Sequence, residues 1–259
     1  MSDPAALSLI VLFLAGLAAG YVNSVAGGGS LLTLPALIFT GLDPSVANAT
    51  NRIAVLFQNA AAIVAFRRGG LHGGRLAVTL LVPSMVAAAA GAWVATLLEE
   101  RELSLAIAIA MLSFLALMLV RRPQKDPQDA PDGEIAPPRF HWTMVLGFSA
   151  IGFYAGFLQA GVGLLILLYL SALHGTALLP ANAIKVIVVL GFAAMAIVVF
   201  GLSGVPMDPV RGTVLAVATT LGGYLGARDT LRRGERFVRW TVVVAVAASA
   251  VKLVFDALT

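Results

Sequence analysis

The chain contains no cysteine, which excludes disulfides, thiolate metal sites and a cysteine nucleophile and leaves the redox compartment undetermined. Charge is scarce too: 12% of the 259 residues are Asp, Glu, Lys or Arg, and the first basic residue is Arg52. No GxxxxGK[ST] segment is present, so the chain carries no phosphate cradle of that kind. His72, His141 and His174 are scattered without metal-ligand spacing. No cofactor is implied, and the histidines read as solvated or interfacial. What is there is apolar. Hydrophobic residues make up 59% of the chain and mean hydropathy is +0.95, more apolar surface than one soluble core can hide. The composition is that of an all-α integral membrane protein. The isoelectric point near 9.9 reflects arginines in short loops, not a basic face massed for nucleic acid. The N-terminal segment lacks a positive n-region and is read as part of the mature protein.

Apolar runs of about 20 residues lie at Ala5–Ala26, Ser45–Phe66, Leu76–Leu98, Leu103–Val120, Trp142–Leu158, Pro180–Phe200, Val210–Ala227 and Trp240–Phe255. Two shorter apolar pieces, Ser30–Thr40 and Leu164–Leu173, reach only about halfway across a bilayer core at about 1.5 Å per residue. The expectation is eight long hydrophobic helices plus two half-helices. The halves also repeat. An offset of 134 positions superposes "AGGGSLL" (Ala26–Leu32) on "AGVGLLI" (Ala160–Ile166) and "ANATN" (Ala47–Asn51) on "ANAIK" (Ala181–Lys185), with 17 identities in the 41 positions from Ala26 to Phe66. Paired Gly and Asn matches outweigh chance Leu and Ala coincidences, so the chain reads as an internal duplication.

Loop charge orients the two copies. "RRGGLHGGR", Arg67–Arg75, holds three arginines, and its counterpart Gly201–Pro209 holds none; acidic "EERE", Glu99–Glu102, faces a counterpart Arg228–Arg239 with five. Lys and Arg collect on the cytoplasmic side, so equivalent loops lie on opposite sides and the repeats are inverted. The Pro-rich linker "RRPQKDPQDAPDGEIAPPR" places the boundary in the cytoplasm: residues 1–122 form one transmembrane repeat, 123–139 the linker, and 140–259 the second repeat. Inversion requires an odd number of crossings in each half. A hairpin of the first segment and the following half-helix, entering and leaving on one side, restores that parity and puts the termini outside. An unwound, strongly tilted first helix is the alternative.

Irregular backbone at membrane depth is tolerated only where protein or a wet cavity satisfies it. Breaks at equivalent places in two inverted halves point to a central transporter site. Gly27, Gly28 and Gly29 in one half, and Gly161 and Gly163 in the other, let the backbone leave helical geometry. Half-helices starting near Ser30 and Leu164 would then turn their N-termini toward an anion; the competing reading is close helix packing. On the helix from Ser45, Asn48, Arg52 and Asn59 fall within about 40° of one another, and Asn182 and Lys185 take the equivalent face in the second half. Such charges are costly unless they snorkel, pair or face water. With no intramembrane Asp or Glu beside them, Arg52 and Lys185 are expected to await an anionic cargo. Asn23, Thr33, Gln58 and Gln159 are secondary candidates, each more readily explained by bonds across helices. Tyr154 and Tyr169 read as packing residues, and Asp43, Pro44 and Ser45 as a helix start.

At "NSVAGGGSLLTLPAL" (Asn23–Leu37), "ANATNR" and the weaker copy "AGVG…ANAIK", the chain resembles the TauE/SafE sulfite-exporter family of membrane transporters. The resemblance covers nearly the whole chain. It implies movement of a small sulfur-containing anion such as sulfite or a sulfonate, usually outward across the bacterial cytoplasmic membrane. It implies an anion site at Gly27, Gly28, Gly29, Asn48, Asn51, Arg52, Gly161, Gly163, Asn182 and Lys185, to which the half-helix reading adds Ser30. Val162 and Leu164 break the symmetry of the two copies. The residues alone lead to a secondary transporter for a small anion working by alternating access, its partners the lipid bilayer and that anion. Coupling ion, direction and oligomeric state stay open. A passive channel, or an intramembrane hydrolase built on Ser24 or Ser30, are the alternatives.

Overall fold

The computed structural model describes residues 4–26, 28–68, 74–120, 140–176 and 178–233. Among these residues the protein is all helix: α1 (Pro4–Ala26), α2 (Ser30–Phe39), α3 (Pro44–Arg68), α4 (Gly74–Ala95), α5 (Glu100–Val120), α6 (Trp142–Phe157), α7 (Val162–Leu168, continued by a π-helical stretch, Tyr169–Leu173), α8 (Leu178–Leu202) and α9 (Pro209–Arg233). The expected last span, Trp240–Phe255, and the linker, 123–139, lie outside the described residues.

Helix starts follow local chemistry. Pro at the first helical position forfeits an N–H that has no helical partner, and Pro44 opens α3 as Pro209 opens α9. Asp208 caps α9 by accepting from the Arg211 N–H at 2.9 Å. At α3 the cap comes from another helix, the Glu100 carboxylate accepting the Ser45 N–H at 2.9 Å and the Ser45 hydroxyl. Glu102 reaches back to the Glu99 N–H at 3.0 Å, closing the start of α5 as a capping box does.

Four described helices are long and apolar enough to cross a membrane, at Ala6–Asn23, Pro44–Arg68, Gly74–Ala95 and Pro180–Leu202. This is fewer than the eight read from apolar runs. Helix α6 has only 16 residues because the chain turns sharply after Phe157. Helices α5 and α9 occupy the expected places, but α9 carries Arg211, Arg228, Asp229, Arg232 and Arg233 toward its ends. Large apolar side chains face outward, among them Ile10 at 58% and Val86 at 68% exposure, the inverse of a water-soluble surface and the expected dress of a lipid-facing one.

Helices α3 and α8 pack against each other at the centre, α3 also on α9 and α8 on α4. The two most extensive contacts cross between halves: α1 lies along α9, and α6 along α4. Both seams are built from small residues. Gly20 on α1 abuts the Thr219 carbonyl and Gly222 on α9 abuts that of Leu17, while Gly156 on α6 abuts the Ala88 carbonyl and Gly91 on α4 that of Phe153. A Cβ at any of these positions would strike backbone. Apolar surface gives little drive between helices in lipid, and such close approach supplies dispersion instead. The glycine spacings Gly16–Gly20 and Gly152–Gly156 put those residues on one face of α1 and of α6.

Candidate functional site

Both predicted helix breaks exist. Helix α1 ends at Ala26 and α2 begins at Ser30, and Gly29 packs against Ala19 and Asn23 of α1. Because Ala19 lies about 10 Å back along the α1 axis at 1.5 Å per residue, the chain doubles back at this point. The second break runs from Leu158 to Gly161, with Gln159 at φ 59° and Gly161 at φ 71°. At Gly161 a Cβ would meet the Phe114 ring as well as the left-handed penalty. The breaks touch each other: the Gly161 N–H donates to Ser30 Oγ at 2.9 Å.

Where they meet, a cavity of about 30 Å³ opens, room for roughly two waters. It is lined by Ala19 and Asn23 of α1, Gly29 with Ser30 and Thr33 of α2, and Asn51, Ala54, Val55, Gln58 and Asn59 of α3. Gln159, Val162 and Gly163 of the second break, Lys185 and Val189 of α8, and Thr219 of α9 complete it. Among the described residues the lining holds one ionisable side chain, that of Lys185, and no carboxylate. Lys185 is 6% exposed and donates to Asn182 Oδ1 at 2.7 Å. Among the described residues, both polar atoms of the Asn51 amide and the Gln159 Nε2 are buried without a protein partner. A buried amide left this way costs about 1–3 kcal/mol, so these groups call for water or a ligand.

Arg52 is placed differently from expectation. It is fully buried, but it is not among the cavity-lining residues. Its guanidinium donates to the Ala155 carbonyl, to Gln159 Oε1, to Asn48 Oδ1 at 2.9 Å and to the Gly156 carbonyl at 2.8 Å. The Asn48 amide adds a bond to the Phe157 carbonyl at 2.8 Å, and Phe200 lies under the guanidinium, 5.6 Å from ring centroid to Cζ. A broken helix leaves its last carbonyls without intrahelical donors, and a cation at that end also meets the negative pole of the helix. Arg52 fills this role for α6. Neutral acceptors thus hold the two terminal nitrogens of Arg52, while its Nε is buried without a partner among the described residues. Tyr154 closes the other side of the break, its hydroxyl donating to the Ala160 carbonyl at 2.6 Å.

The predicted residues therefore divide. Gly29, Ser30, Asn51, Gly163 and Lys185 line the cavity. Asn48, Arg52 and Asn182 stand behind it, holding the side chains and carbonyls that shape it. Gly161 sets the turn, and Gly28 gives its carbonyl to the Leu31 N–H at 3.1 Å. Gly27 lies outside the described residues. The secondary candidates Asn23, Thr33, Gln58 and Gln159 all reach the cavity. Thr219, in the α9 run "VATTLGG", was legible from nothing in the sequence.

Comparison with known proteins decides the family. The model of the sulfite exporter TauE/SafE family matches residues 12–253. The chain belongs to that family. Similar curated proteins include the probable membrane transporter protein ORF9 of Sinorhizobium sp., 29% identical over 256 residues, covering 99% of this chain and 96% of that protein. Others are the probable membrane transporter protein YfcA of Escherichia coli K12, 28% identical with 96% and 91% coverage, and a probable membrane transporter protein of Haemophilus influenzae, 28% identical with 96% and 95% coverage. No solved structure matches the chain. As a TauE/SafE family member the protein is a multi-pass membrane transporter and not an enzyme.

Proposed function

We propose that the protein is a secondary transporter of a small anion, a sulfur-containing one such as sulfite or a sulfonate, binding its cargo where the two helix breaks meet. One observation carries the reading: a cavity whose single ionisable side chain among the described residues is Lys185, flanked by the unpartnered Asn51 amide and Gln159 Nε2, with no carboxylate among the described lining residues. Such a lining repels cations and leaves donors for the oxygens of an oxyanion. The Ser30 hydroxyl, on the cavity lining, adds to the donor set. Arg52, one layer behind, adds positive potential without direct contact.

Alternating access of two inverted halves is the proposed mechanism. The lining supports it, since Gly29 and Gly163, Asn51 and Lys185, and Val55 and Val189 are pairs related by the sequence repeat, and all six face the cavity. The crossed packing supports it too: α1 on α9 mirrors α6 on α4, so rocking one half against the other would move matched seams. The Ser30 hydroxyl is engaged by the Gly161 N–H, and among the described residues nothing on the cavity lining is a histidine or carboxylate base, which tells against a serine hydrolase.

The test is uptake into proteoliposomes of labelled sulfite, sulfate, thiosulfate and methanesulfonate, each with counterflow. Saturable uptake with counterflow of at least one sulfur oxyanion is expected. Unsaturable conductance would make the protein a channel, and uptake of cations in preference to anions would overturn the reading.

A further inference from the structure

We infer that Lys185 is the proton carrier of the transport cycle, so that each anion crosses together with one proton; the inference rests on the anion site proposed above. Among the described residues Lys185 Nζ has one protein acceptor, Asn182 Oδ1 at 2.7 Å, and the residue is 6% exposed. Among the described residues its surroundings hold no carboxylate counter-ion. From α3 the charged neighbour is Arg52, turned to the α6 carbonyls. From α6 comes the Tyr154 hydroxyl, committed to the Ala160 carbonyl, and from the π-helical stretch Tyr169, committed to the Thr143 carbonyl at 2.9 Å with His174 against its ring. Helix α4 gives Ser84 to its own carbonyls, and α9 gives Thr219 to the cavity while its Asp208 and Arg211 pair with each other.

A lone ammonium in this setting is expensive, whereas the same ammonium beside an anion forms a neutral pair. Proton and anion therefore strengthen each other's binding by the same factor. As the anion enters, the Lys185 amine takes one proton from water on that side and becomes –NH3⁺. When the anion leaves on the far side the proton returns to water and the amine is neutral again. The two states that must reorient, empty amine and filled ion pair, carry the same net charge. With a monovalent anion the cycle is electroneutral.

The experiment uses the full-length protein in proteoliposomes, with membrane potential clamped by potassium and valinomycin. The probes are methanesulfonate and thiosulfate, whose ionisation does not change across the pH range used. Homoexchange at equal anion and equal pH on both sides reports the anion site alone. Net uptake with the interior one pH unit more alkaline reports the proton. Wild type is expected to accumulate methanesulfonate about tenfold per pH unit, independent of the clamped potential. In Lys185→Arg, whose charge is fixed, and in Lys185→Gln, that ratio should fall to about one, whatever exchange remains. Lys185→His should keep the coupling with its pH profile moved downward. Exchange in wild type without pH-driven accumulation overturns the proton role and leaves the anion site standing. Accumulation that survives in the Arg and Gln variants moves the role elsewhere. Absence of exchange for every sulfur oxyanion defeats the anion site and this inference with it.

Discussion

Replacing Arg52 by Met separates a latch on α6 from a ligand for cargo. Met keeps most of the aliphatic packing but withdraws every donor from the α6 end. The carbonyls of Ala155 and Gly156, with Gln159 Oε1 and Asn48 Oδ1, lose the partner they share, though the Asn48 amide still covers Phe157. Bonds to a charged donor are worth about 1.5–3 kcal/mol each, and the guanidinium no longer has to be desolvated, which returns part of that sum. A net loss of roughly 3–5 kcal/mol follows, because four buried neutral acceptors lose their shared donor at about 1–3 kcal/mol for each group left unsatisfied, less the returned desolvation. At about 2–4 °C per kcal/mol for a chain of this size, thermal unfolding in nanodiscs should shift down by on the order of 10 °C. Arg52→Lys, one point charge in place of a fork, should recover part of the loss. Anion affinity in the folded fraction should fall less in Arg52→Met than in Lys185→Gln. Unchanged stability with affinity lost as fully as in Lys185→Gln would refute the reasoning and make Arg52 a cargo ligand.

Other outcomes follow from single contacts. Gly161→Ala meets both a left-handed backbone and the Phe114 ring at 2.8 Å and should destabilise by about 1–3 kcal/mol, read by denaturant unfolding; a neutral result would mean the turn is not held in this conformation. Gly156→Val should open the seam with Ala88 on α4 and lower thermal stability more than Gly41→Val, whose Cβ site is open space and whose cost is backbone strain at φ 90° alone. Asn51→Leu leaves the cavity without one unpartnered amide and should raise or preserve stability while weakening anion binding about tenfold or more, a combination that a purely structural asparagine would not give. Asp208 is partly buried, which by itself would raise its carboxyl pKa, but the Arg211 N–H and guanidinium outweigh that and hold it below the ordinary 3.8. A depressed folded-state value means its contribution is complete above about pH 3.8 and is lost as pH falls through the folded value. Asp208→Asn should therefore flatten the acid limb of the stability profile below that point.

Much of the fold was legible because its signals are local. Long apolar runs with charge confined to their ends identify membrane helices, since an unpaired polar backbone cannot stand in lipid. Glycines at matched places in two copies locate the breaks, since only there can the chain leave helical geometry cheaply. Asp43 with Pro44 announced the start of α3, and the structure puts it there. The sequence by itself thus determined a membrane protein with two interrupted segments. What it left open was where long side chains go. Asn48, Arg52 and Asn59 share a helical face, but Asn48 and Arg52 cross to α6, more than 100 positions away, while Asn59 lines the cavity beside Asn51. The reason is that a severed helix end offers bare carbonyls, and an arginine is drawn to whichever unsatisfied acceptors packing brings within its reach. Only the tertiary arrangement decided that Arg52 closes the α6 end and that Lys185 is the one ionisable side chain among the described residues on the cavity.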